Sequence, residues 1–161
     1  MHSPLVYTHF PYSKMASVND LVRQFESAGS PLAKAQLLFQ VHSALLALPQ
    51  QQAEQTSLQI GSPSFIKSIL EFVVSGEAFT YFGLRVLDHM SFCEEVRRRV
   101  VSGGGIHVSL GLLRTNDYEL VVSSLSLLQG LVKTDNLQEF VRCNGVKLLV
   151  RLLAQYEVEF V

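Results

Sequence analysis

The chain lacks tryptophan altogether and holds only two cysteines, Cys93 and Cys143. They stand at unrelated positions, with no Cys-x-x-Cys pair and no histidine at ligand spacing. This pattern excludes a disulfide framework or a zinc site and points to a reducing, intracellular setting. Charge is also scarce. Thirteen Lys and Arg stand against fourteen Asp and Glu, a net charge of -1 with 17% charged residues, so no strong field exists to attract nucleic acid or an anionic membrane. The one basic cluster, Arg97-Arg98-Arg99, follows Glu94-Glu95 and is expected to be a solvated, self-compensated helix face. Residues 1–14 include three aromatics and two prolines but no continuous apolar stretch. They are expected to be neither signal peptide nor membrane span but an irregular arm, 1–16, ahead of the fold.

What is present is apolar material in quantity: 48% of 161 residues. A single domain of this size buries roughly 70% of its unfolded surface, enough for a core without staples. Displacing the sequence by forty positions lays Gly105 on Gly145 and Ile106, Val108, Leu110, Leu112 and Leu113 on Val146, Leu148, Val150, Leu152 and Leu153. The reverse displacement lays Ile66, Leu70, Phe72 and Val73 on Ile106, Leu110, Leu112 and Leu113. A helical period near forty is the mark of stacked units that cannot bury their apolar faces alone.

Local patterning agrees. Val18, Leu21, Val22 and Phe25 recur at helical spacing, as do Ile66, Ile69, Leu70, Val73 and Val146, Leu149, Val150, Leu153, each expected to be a buried stripe. Longer helices are marked by Leu38, Val41, Leu45, Leu48, then Phe79, Phe82, Val86, Leu87, Met90, then Leu120, Leu127, Leu128, Leu131. Pro49 stops the first of these. Gly61-Ser62-Pro63, Gly103-Gly104-Gly105 and Asn144-Gly145 are expected to supply positive φ at sharp turns. Asn116-Asp117 and Thr134-Asp135-Asn136 are expected to provide turns and N-caps. These signals predict helices near 17–27, 31–48, 50–59, 64–74, 77–91, 93–102, 105–114, 117–133, 136–143 and 146–154.

The strings GGGIHVSLGLLRTNDYELVVSSLSLLQGLV and EFVRCNGVKLLVRLL resemble the armadillo family, whose unit has a short first helix, a second opening on a glycine turn, and a long third helix. The resemblance is best over 64–161. HEAT repeats are the structural alternative, but the glycine turn before a short apolar helix favours armadillo. The expected fold is all-α, a right-handed α-solenoid of about three armadillo-like repeats plus a truncated fourth. Its domain covers 17–161, with units at 17–48, 50–91, 93–133 and 136–161.

The resemblance implies that the third helices line a concave groove. Ala47, His89 and Gly130 then occupy the position where the family commonly carries a peptide-gripping asparagine. The family's import adaptors pair that asparagine with tryptophan, which this chain lacks. The groove is expected to present Gln36, Gln40 and Ser43, then Tyr81, Arg85 and His89, then Glu119, Ser123 and Ser126, with Lys133 one turn further. Tyr81, Arg85 and His89 form an aromatic-plus-basic ridge suited to an acidic or extended protein segment.

No catalytic, metal or cofactor constellation emerges. His2 and His9 fall in the arm and His42 on a packed helix. Asp88-His89 with Ser91 or Cys93 are neighbours on one helix that point in different directions. Gly103-Gly104-Gly105 lacks the Lys-Ser/Thr ending of a phosphate loop. At the C-terminus Glu159 and Phe160 echo Glu119 and Leu120, as if a third helix begins, and Val150, Leu153, Val158 and Phe160 are left without a cover.

The function expected is a non-enzymatic, cytoplasmic scaffold or adaptor, with nuclear or cytoskeleton-associated placement as alternatives. It is expected to bind a protein segment in its groove, and its uncapped end is expected to mark either a fragment of a longer array or a surface that pairs with another copy or partner. An import-type adaptor and a regulatory fragment of a larger protein are the competing expectations.

Overall fold

The computed structural model describes residues 16–159. Expectations for the arm at 1–15, and for Val158 and Phe160 as uncovered side chains, lie outside the described residues. Every regular element described is an α-helix, ten in order: α1 Val18–Ser27, α2 Pro31–Ala47, α3 Gln50–Ile60, α4 Pro63–Val73, α5 Tyr81–Met90, α6 Glu94–Ser102, α7 Gly105–Leu112, α8 Tyr118–Leu131, α9 Leu137–Arg142 and α10 Gly145–Glu159.

Side-chain caps fix several of the starts. Ser17 accepts from the Asp20 N–H at 3.2 Å while the Asp20 carboxylate accepts from the Ser17 N–H, a reciprocal capping box. Ser30 and Ser62 cap α2 and α4, each followed by proline in the first turn, where the missing N–H costs nothing. Asp117 caps α8 through the Leu120 N–H. Asn136 instead serves the helix before it: its side chain accepts from the Lys133 N–H and donates to the Leu131 carbonyl, closing the end of α8.

The glycine turns divide into two kinds. Only Gly104 (φ 94°) takes the left-handed conformation expected of these glycines, and forty positions on Asn144 takes it as well (φ 59°). The adjoining Gly105 and Gly145 are required for space, since a Cβ on Gly105 would lie 2.6 Å from the Val100 side chain and one on Gly145 would overlap the Phe140 ring. Gly61, with φ -73°, is likewise a close-approach residue, its Cβ position 2.7 Å from the Ser57 carbonyl.

The helices pack in order along the chain. Consecutive helices α1–α2, α4–α5 and α7–α8 pair, and α2, α5 and α8 contact one another in turn as a row. The core runs continuously between them through Phe25, Leu38, Leu45, Phe65, Ile66, Ile69, Leu84, Leu87, Met90, Ile106, Leu127 and Leu131, all fully buried. Replacing one such leucine by alanine would cost on the order of 2–5 kcal/mol.

Four expectations are corrected. Helix α5 starts at Tyr81 rather than 77, because Gly76 and Phe79 both have positive φ and keep 74–80 out of regular helix; Phe79, assigned to a buried stripe, is 49% exposed. Helix α10 runs unbroken to Glu159, so no separate helix begins there. The counterparts of Asn116 and Asp117 are Tyr156 and Glu157, which offer no short capping side chain. Of the stripe Val146, Leu149, Val150 and Leu153 only Leu149 is half-buried; Val146 is exposed, as are Val150 and Leu153, the two also expected to lack a cover, and α10 buries Leu148 with Leu152 half-buried.

The fourth concerns the arginine run, whose first two members differ sharply. Arg98 is solvated, but the Arg97 side chain is only 5% exposed. Its guanidinium grips Glu94 with two hydrogen bonds, donates to the Leu131 carbonyl at 3.1 Å and meets Asp135 at 3.1 Å. Arg99 reaches the other way, donating to the Gly61 carbonyl at 2.9 Å. Helix α6 is therefore tied to the loop before α4 and to the end of α8, contacts that a sequence run of like charges conceals.

Candidate protein-docking face

The row α2–α5–α8 places side chains from three distant sequence segments on one surface. Helical spacing puts Phe39 and His42 of α2 toward α5, and Phe82 and His89 of α5 answer them. The Phe39 and Phe82 rings meet edge-on with centroids 5.2 Å apart, and the His42 and His89 rings do so at 6.1 Å. Tyr81 stacks on Phe82 at 4.5 Å, Phe79 lies beside Tyr81 at 6.4 Å, and Phe92 lies beside His89 at 6.1 Å. Aromatic pairs in such tilted geometry each add about 1 kcal/mol beyond the area they bury.

Arg85 sits at the centre. Its guanidinium lies over the Tyr81 ring at 4.9 Å and the Phe82 ring at 5.9 Å, and it donates to Glu119 of α8 at 2.9 Å. One turn along, Asp88 accepts a hydrogen bond from the Ser126 hydroxyl. The rings of His42 and His89 are half-buried, and that burial pushes both pKa values down. For His42 the neighbouring His89 and Arg85 add to the effect, while Asp88 opposes it for both. Both shifts favour the neutral imidazole, and the ridge is less basic than its composition suggests.

Of the residues expected in the groove, Tyr81, Arg85, His89, Glu119 and Ser126 are brought together here. Gln36, Gln40 and Ser43 are exposed on α2 and make none of these contacts. Ser123 is buried, 5% exposed, and is removed from the set. Lys133 is exposed beyond the end of α8 and enters none of the ion pairs or stacks. The residues missed are Phe39, His42, Phe79, Phe82, Asp88 and Phe92. Phe82 keeps part of its expected place in the core stripe, being half-buried against the core, whereas Phe79 leaves it at a left-handed backbone (φ 63°). That backbone costs a bulky residue on the order of 1–3 kcal/mol.

The nucleophiles near His89 do not converge on it. The Ser91 hydroxyl donates to the Leu87 carbonyl and Cys93 is buried. Among the described residues no three acidic, histidine or cysteine side chains gather at metal-binding distance, and no helix is long and apolar enough to cross a membrane. Comparisons with protein-family models, with curated proteins and with solved structures gave no match.

Proposed function

We propose that the chain is an armadillo-type α-solenoid acting as a non-enzymatic scaffold or adaptor, with the α2–α5–α8 face docking a segment of another protein. The observation that carries this is the concentration of exposed aromatic side chains around the Arg85–Glu119 pair: Phe39 is 51% exposed, Phe79 49% and Phe92 84%. Aromatic residues and arginine dominate interface energetics, and helical arrays use such surfaces for binding. The repeat assignment is supported by the left-handed joint that recurs at Gly104 and Asn144, forty positions apart, each followed by a glycine opening a helix. Because Glu119 already meets Arg85, the motive for an acidic partner is weak, and a largely apolar segment suits the face better.

A second surface carries the expectation of self-association. Leu137 and Val141 on α9 and Val146, Val150 and Leu153 on α10 are each about half exposed or more. The spacing of Val146, Val150 and Leu153 puts them on one face of α10, and an exposed apolar face favours association with a second copy or another protein.

The docking proposal is tested by affinity capture with the whole chain and with Tyr81→Ala and Phe92→Ser, using Glu71→Gln as a control away from the face. Partners lost with both face variants and retained with the control support it. A capture profile indifferent to all three, with folding intact, removes it.

A further inference from the structure

Along α2, Leu32, Phe39 and Leu46 recur every seven residues, two helical turns, and are 55%, 51% and 60% exposed, so they form one apolar stripe. The stripe is continued on α5 by Phe82 and Tyr81, and at the ends of α5 by Phe79 and Phe92. The charges at its centre are one cation, Arg85, and two carboxylates, Glu119 and Asp88; Glu119 is matched by Arg85, while Asp88 makes no ion pair among the described residues. What complements this surface is a segment rich in aromatic and aliphatic side chains, bearing positive charge and no carboxylate.

Residues 1–15 of the same chain have that composition: Leu5, Val6, Tyr7, Phe10 and Tyr12, with Lys14 and no acidic residue before Asp20. They join the fold at Ala16, just ahead of the Ser17 cap of α1, and α1 packs along α2. Fifteen residues span up to about 50 Å when extended, whereas adjacent packed helices lie about 10 Å apart. The stripe on α2 and its continuation on α5 are thus both within reach of the tether.

We propose that residues 1–15 cover the Phe39–Tyr81–Phe82–Phe92 face of their own chain, with Tyr7 and Phe10 as aromatic anchors and Lys14 offsetting the unmatched carboxylate. The segment then competes with any partner for the face. This consequence rests on the docking role proposed above, but occupancy itself is measured on the chain alone, so its failure leaves that role standing.

The absence of tryptophan supplies the test. Phe10→Trp, with Tyr12→Trp as a second placement, introduces a single tryptophan into the intact chain, excited at the red edge where the chain's tyrosines do not absorb. Docking gives blue-shifted emission and several-fold weaker quenching by acrylamide than in a synthetic 1–15 peptide with the same substitution. Adding Phe39→Ser or Phe92→Ser returns both signals toward the peptide values while circular dichroism stays helical. Peptide-like emission from both tryptophan placements overturns the proposal, as does protection that survives both serine substitutions. Protection that vanishes on dilution overturns it in favour of a second copy as the occupant.

Discussion

Arg85 on α5 and Glu119 on α8 meet at 2.9 Å, and the guanidinium that makes this bond also lies over the Tyr81 ring. One side chain thus joins two helices and orders an aromatic pair. Both partners are more than 40% exposed, so solvent screens the ion pair. In a double-mutant cycle with Arg85→Ala and Glu119→Ala, the coupling read from urea midpoints is expected to be under about 1 kcal/mol. A larger value would mean the pair is structural and not simply part of a docking surface.

Arg97 presents the opposite case. Arg97→Met removes the donors to Leu131, Glu94 and Asp135 from a buried site and is expected to cost about 2 kcal/mol or more. Arg98→Met, at a 65% exposed side chain, is expected to change stability by less than about 0.5 kcal/mol. Thermal melts of the two variants side by side check the difference.

Stability is expected to fall in two stages on acidification. His42 and His89 have lowered folded pKa values, so their contribution is complete above the unfolded value of about 6.5 and is lost as pH drops through the folded values. The Glu94 carboxyl, pulled down to about 2 first by its hydrogen bonds to Arg97, contributes above its ordinary range near 4.5 and is lost only toward pH 2. The upper stage should disappear in the double variant His42→Gln, His89→Gln when urea midpoints are followed from about pH 8 to about pH 5.

The two left-handed joints should respond oppositely to substitution. Gly104→Ala meets no neighbour within 4 Å, so its cost, about 1 kcal/mol, reflects backbone strain alone. Asn144→Gly relieves the same strain and is expected to be neutral or slightly stabilising. Differential scanning calorimetry would distinguish the two.

Self-association through α9 and α10 is expected to appear as a mass that rises with concentration in light scattering. Val150→Lys with Leu153→Glu, both exposed, should abolish that rise without altering helix content. A wild-type chain that stays monomeric at high concentration would refute it.

The helices were legible because each is written by its own residues: caps such as Ser17 and Asp117, and apolar positions at helical spacing. Errors arose where a local pattern depends on something distant. Phe79 fits a core stripe by spacing, but its left-handed backbone turns the chain before α5 begins. Val146 reads as core because core residues look the same before one knows whether a helix covers them, and it is 54% exposed. The docking face was half legible. Tyr81, Arg85 and His89 follow from position on one helix, whereas Arg85–Glu119 and Asp88–Ser126 join residues 34 and 38 apart, pairings that no helical period encodes.

Two of the three arginines of α6 have a mechanical consequence. Arg99 holds the Gly61 carbonyl on one side and Arg97 the Leu131 carbonyl on the other, with the rigid turns of α6 between them. A pull along the chain therefore loads a single strut anchored at both ends to main-chain oxygens, and neighbouring segments can part only when one of those anchors lets go. Resistance to stretching should then be greatest about α6 and smallest at α9–α10, where no such cross-tie is found among the described residues.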